Sequence, residues 1–160
     1  MPNVLCLLFV LGHVVADVPS QRERLDLLGF LVRLRKDVSP PASNMNLPRY
    51  SSKMEKLAAD WVSRCLFRLP HPEEYPQFNG TGIMVLSGFG PILEYTMGIT
   101  FSYESRNYDY DSNACRGACR NYKLMVWAAT TEIGCARHQC ISNNGPLDFK
   151  SLLACVFNNA

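Results

Sequence analysis

The sequence predicts an α+β fold in which helices cover an antiparallel sheet, and three observations carry that expectation. Apolar residues recur at helical spacing through the first half of the chain, and runs rich in β-branched and aromatic residues crowd the last third. Six cysteines, at 65, 115, 119, 135, 140 and 155, make an even set suited to three disulfides. The order helix, helix, helix, strands favours segregated layers over an alternating βαβ pattern.

The first residues are set aside. Val4 to Leu11 is an uncharged apolar core, too short to span a bilayer, and Val14-Val15-Ala16 supplies the small residues a signal peptidase needs. Residues 1–16 therefore read as a signal peptide that takes Cys6 with it, and residues 17–160 as a single secreted domain with no membrane span. An oxidising destination makes disulfides the expected state of the remaining cysteines. The Cys115/Cys119 and Cys135/Cys140 spacings would suggest zinc only in a cytosolic chain. A formal net charge of +2 is too small to argue for nucleic acid, and no Lys/Arg run is dense enough to hold an anionic membrane. Asn79-Gly80-Thr81 is a glycosylation sequon in an exposed loop.

Arg22 to Asp37 forms the first predicted helix. Leu25, Leu28 and Val32 make one stripe, Leu27, Leu31 and Leu34 a second, and Ser39-Pro40-Pro41 ends it. The second helix starts at Ser51 or Ser52, each a plausible N-cap, with Glu55 in its first turn and Leu57, Ala58, Trp61, Val62 and Cys65 on its buried face. From Leu66 to Gly90 the pattern dissolves into prolines, glycines and aromatics, a surface excursion whose one apolar run is Ile83 to Leu86. Pro91 opens a weaker helical pattern over Ile92 to Glu104. Tyr122 to Ala128 and Thr131 to Ala136 read as paired strands, and Leu152 to Phe157 as a third.

Several stretches together resemble the CAP superfamily, also called SCP/TAPS, which includes cysteine-rich secretory proteins, plant pathogenesis-related proteins and venom-allergen-like proteins. They are Val38-Ser39-Pro40-Pro41-Ala42-Ser43-Asn44-Met45, Glu55 to Ala58 with Trp61 and Cys65, Asn107 to Tyr110, Tyr122 to Trp127, and Ile133 to Ala136. The Pro-Pro-Ala-Ser-Asn-Met run and Tyr108 to Tyr110 are closest in character to parasitic-worm members. The resemblance implies an α-β-α sandwich with a three-stranded antiparallel sheet. It also implies disulfides Cys65–Cys140, Cys115–Cys119 and Cys135–Cys155, which spacing alone leaves among fifteen pairings.

Many CAP domains carry two His and two Glu around a metal-binding cleft. By motif, those positions fall here on Leu31, Ile83, Glu104 and Asn121, so one of four is kept, and no metal, no cofactor and no catalytic residue is expected. The aliphatic replacements, Leu124 included, imply a filled centre. His71 and His138 stand at no motif position, Gly88-Phe89-Gly90 reads as a turn, and no nucleophile-elbow or zinc-protease motif is present. The expectation is a non-enzymatic protein acting on an extracellular protein partner, as in immune or receptor modulation, with Arg116, Arg120 and Lys123 as a basic contact group. The alternative is sterol or fatty-acid carriage, motivated by Leu27, Phe30, Leu31, Phe89, Tyr95 and Phe101.

Overall fold

The computed structural model describes residues 16–89, 93–95, 103–141 and 149–160. Helix α1 spans Gln21–Lys36 and opens on a complete capping box. The Ser20 side chain accepts from the Glu23 backbone N–H, and the Glu23 carboxylate accepts from that of Ser20. Of its two leucine stripes, Leu27, Leu31 and Leu34 are buried, whereas Leu25 faces solvent. Helix α2, Ser52–Val62, is capped by Ser51 and buries Met54, Ala58, Trp61 and Val62.

The main sheet has four strands in the order β1 (Arg49–Tyr50), β5 (Glu132–Ile141), β6 (Phe149–Asn158), β2 (Thr81–Phe89). The three long strands are antiparallel, as expected, and the two-residue β1 adds a parallel fourth that the sequence reading lacked. A separate hairpin pairs β3 (Tyr108–Asp109) with β4 (Ala114–Cys115).

Two expectations are corrected. Residues 122–128 do not form a strand, because Arg120–Met125 is a short helix, α3, with Tyr122 and Met125 buried one turn apart. That segment carries one β-branched residue, Val126, and its N–H bonds the Tyr122 carbonyl in helical fashion. Nor is Thr81–Phe89 part of a surface excursion, since it pairs with β6 along its whole length. Both of its faces are covered, so Ile83 and Met84 are each buried and polar alternation is missing. The helix expected over Ile92 to Glu104 lies mostly outside the described residues. So does the leader as far as residue 15.

Alternation along the strands sorts the core into two layers. Met84, Ile133, Cys135, Leu153, Cys155 and Phe157 pack against Leu27, Leu31 and Leu34 of α1 and Tyr122 and Met125 of α3. Ile83, Ala136, Cys140, Leu152, Ala154 and Val156 pack against α2. Helices on both faces of one sheet make the α-β-α sandwich. Gly134 sets how closely α2 can approach, because a Cβ there would collide with the backbone of Met54 and Glu55.

The disulfides join Cys65 to Cys140, Cys115 to Cys119 and Cys135 to Cys155. Arg35 supplies a polar pin of similar importance. Buried at the end of α1, its guanidinium donates to the carbonyls of Asn46, Met125, Ala128 and Thr130. Burial lowers its pKa from the ordinary guanidinium value, and the four acceptors offset that desolvation.

Candidate functional site

Glu104 stands just before the 3-10 turn Ser105–Asn107 and is only 6% exposed. Its Oε1 accepts from Asn121 Nδ2 at 2.8 Å and its Oε2 from the Tyr122 backbone N–H at 2.9 Å. Both oxygens thus serve the first turn of α3, where backbone donors lack helical acceptors. Arg120 completes the anchorage by donating from Nη1 to the Ile83 carbonyl at 2.8 Å. Burial lowers its guanidinium pKa, and the charge of Glu104 opposes the shift.

Of the four family positions, only Glu104 and Asn121 are brought into contact. Leu31 belongs to the layer beneath α1, whereas Ile83 belongs to the layer beneath α2. Consecutive strand residues face opposite ways, and Met84 shares the layer of Leu31. A shared ring of Leu31 and Ile83 is therefore not what the fold builds. Both side chains are buried in apolar surroundings, so neither position carries a donor for an ion. Of the histidines, His71 is exposed, while His138 is buried beside the Cys65–Cys140 bond.

A second feature lies on the outside of α3. A cavity of about 220 Å³ opens between the 38–45 loop and the α3 region, with Pro40, Met45, Tyr108, Tyr110, Tyr122 and Trp127 among its walls. Arg35 holds two of those walls in register, since its carbonyl partners are Asn46, just beyond the loop, and Met125 and Ala128, at and after the end of α3. On the floor, Lys123 Nζ donates to Asn113 Oδ1 at 2.7 Å and stands 5.4 Å from the centre of the Tyr108 ring. The Tyr108 hydroxyl donates to the same Asn113 oxygen, and the Tyr108 and Tyr122 rings lie 5.7 Å apart. Burial raises the pKa of both phenols, so each is neutral at neutral pH.

Trp127 is the feature that sequence reasoning missed. Placed in a strand by its neighbours, it instead follows α3 and is 48% exposed, with Tyr110 nearby on the cavity wall at 58%. It borders two further hollows, one with Leu124, Arg120 and Ala160, the other with Asn44, Asn46 and Ala129. An exposed tryptophan ringed by concavities has no helical or strand period to announce it.

The basic group expected from the sequence is not a free patch. Arg120 turns inward, Lys123 is held by Asn113, and only the exposed Arg116 remains, 3.8 Å from Asp109. Asn79 is exposed at the end of the 3-10 turn Pro76–Phe78. Among the residues offered for lipid, Leu27, Leu31 and Tyr95 are core and Phe89 is exposed, while Phe101 lies outside the described residues.

Comparison with known proteins bears on this arrangement. The model for the cysteine-rich secretory protein family, CAP, matches residues 23–157. Mouse glioma pathogenesis-related protein 1 is 32% identical over 68% of this chain and 44% of its own length. The mouse peptidase inhibitor R3HDML is 27% identical over 78% of this chain and 53% of its own. The chain thus spans about half the length of these curated relatives. Among solved structures, venom allergen-like protein 4 of Schistosoma mansoni superposes with a TM-score of 0.68 at 27% identity, covering 88% of this chain and 89% of that one. With its three-layer sandwich, its three cystine pairs and a family match over nearly the whole described chain, this protein belongs to the CAP, cysteine-rich secretory, family.

Proposed function

We propose that this chain is a secreted, non-enzymatic CAP-domain protein that acts by docking another extracellular protein on the face centred on Trp127. The observation that carries the reading is the exposed indole at the meeting of three hollows, one of them walled by Tyr110, Tyr108 and Met45. Tryptophan and tyrosine beside pockets are the usual anchors of protein interfaces, because they bury large area at little entropic cost. The bonding of Glu104 supports the negative half of the reading: a carboxylate that caps α3 with one oxygen and holds the Asn121 amide with the other is a structural group before it is a base. Immune or receptor modulation fits such a surface, and the name of the R3HDML relative makes an extracellular peptidase a concrete partner class to try.

The test is photo-crosslinking. A photoreactive residue replaces Tyr110 in one variant and Lys56, exposed on α2, in another, and each is offered to extracellular extracts. The proposal expects a discrete adduct from position 110 that unlabelled wild type competes away and Trp127→Ala does not. Equal adducts from both positions, or equal competition by the variant, would sink it.

A second reading, sterol or fatty-acid binding, is favoured by the apolar hollow between Leu124, Trp127 and Ala160. Delipidated protein that takes up neither labelled cholesterol nor palmitate at micromolar concentration removes it.

A further inference from the structure

On the sheet face covered by α2, β5 presents Ala136, His138 and Cys140 in succession. Cys65, just past the end of α2, is bonded to Cys140 with the Cα atoms 5.8 Å apart. The imidazole of His138 completes the group, since one ring nitrogen and the two sulfurs all lie within 4.8 Å of one another. His138 is only 8% exposed, so its ring is held in place beside the two sulfurs.

We propose that this group is a redox-gated metal site. It is closed while Cys65 and Cys140 are joined, and becomes a Cys65, His138, Cys140 centre for Zn²⁺ when a dithiol reductant opens the bond. The dithiol gives two electrons and two protons, its own sulfurs join, and the protein S–S bond breaks to two thiols. Zn²⁺ then displaces both thiol protons to solvent, and two thiolates with one imidazole leave its fourth position for water. The backbone already holds the Cα atoms of Cys65 and Cys140 5.8 Å apart, and two thiolates bonded tetrahedrally to one zinc stand about 3.8 Å apart.

Access favours this bond over the buried one. Cys65 is only half-buried and sits in the left-handed region at φ 52°, where a side chain is disfavoured, whereas Cys135 and Cys155 are fully buried. The bond between Cys115 and Cys119 has an exposed end and would compete for reductant and metal, so the experiment removes it.

The chain carrying Cys6→Ser, Cys115→Ser and Cys119→Ser is reduced with dithiothreitol, desalted under argon and titrated with Co²⁺ as a spectroscopic stand-in for Zn²⁺. The expected result is one equivalent bound, with thiolate-to-cobalt charge transfer and tetrahedral d–d bands that Zn²⁺ abolishes and that the oxidised protein never shows. His138→Gln is expected to weaken binding by about tenfold or more, as loss of one of three protein ligands should. Near-UV circular dichroism of the reduced, metal-loaded chain is expected to match the oxidised form. The proposal is overturned if the reduced chain binds no cobalt or His138→Gln binds as tightly as its parent. It is also overturned if reduction erases the near-UV spectrum and Zn²⁺ does not restore it.

Discussion

At the scale of single residues, two buried charged groups, Glu104 and Arg35, hold the α3 region together by bonding to its backbone. Glu104→Ala would leave the Tyr122 N–H and the Asn121 amide without their acceptor, costing about 1–3 kcal/mol. Urea unfolding should show that loss, and Glu104→Gln, which keeps one carbonyl acceptor, should lose less. Arg35→Met strips a donor from four carbonyls at once, and a cost of roughly 2–4 kcal/mol is expected by the same measurement. How much of this was legible differs between the two. Glu104 and Asn121 were found together by motif position, and their contact is real. Arg35 was not singled out, because an arginine next to Lys36 in a helix reads as solvated until the chain that folds over it is known.

Elements were legible where their period matched their burial. The capping box at Ser20 and Glu23 and the serine cap of α2 begin their helices near the predicted residues, and β6 is the apolar run that was seen. Elsewhere tertiary context prevailed. In α3, Tyr122 and Trp127 looked like strand residues, but the buried pair Tyr122 and Met125 has helical spacing and Glu104 caps it from a distant part of the chain. Thr81–Phe89 was obscured by Gly82 and Gly88, which are there for close approach: a Cβ at Gly82 would collide with the Leu124 side chain. Gly134 gives the sharpest element-scale prediction. Gly134→Ala forces α2 off the sheet, at about 3 kcal/mol, or a fall of about 6–12 °C in Tm by calorimetry. Gly80→Ala, which meets no neighbour but sits at φ 70°, should cost only about 1 kcal/mol.

Over the whole molecule, several partly exposed carboxylates are tied to donors that the unfolded chain lacks. The Ser20 hydroxyl and backbone N–H hold Glu23 below the usual carboxylate range, the Arg49 guanidinium and then the Ser51 hydroxyl do so for Glu132, and Ser112 does so for Asp109. A folded-state pKa below the unfolded one means that the unfolded chain binds more protons as pH falls. The stabilisation is therefore complete above the unfolded carboxylate pKa and is lost as pH falls through the folded values. Thermal melts should show Tm dropping between about pH 5 and 3, with a shallower drop in Glu23→Gln.

The same whole-molecule view separates an inward site from an outward one. The positions that the family resemblance pointed to do not converge on one cleft: Leu31 and Ile83 face opposite layers, and Glu104 caps a helix. The open surface lies outside α3, around Trp127, which the sequence marked only as part of the scaffold stretch Tyr122 to Trp127. The measurement that bears most directly on this division is competition for the crosslinked partner by two unlabelled variants, Trp127→Ala and Glu104→Gln. The account predicts that Glu104→Gln competes as wild type does while Trp127→Ala loses about tenfold or more, the scale of an anchor residue. Equal competition by Trp127→Ala, or its loss in Glu104→Gln alone, would contradict it.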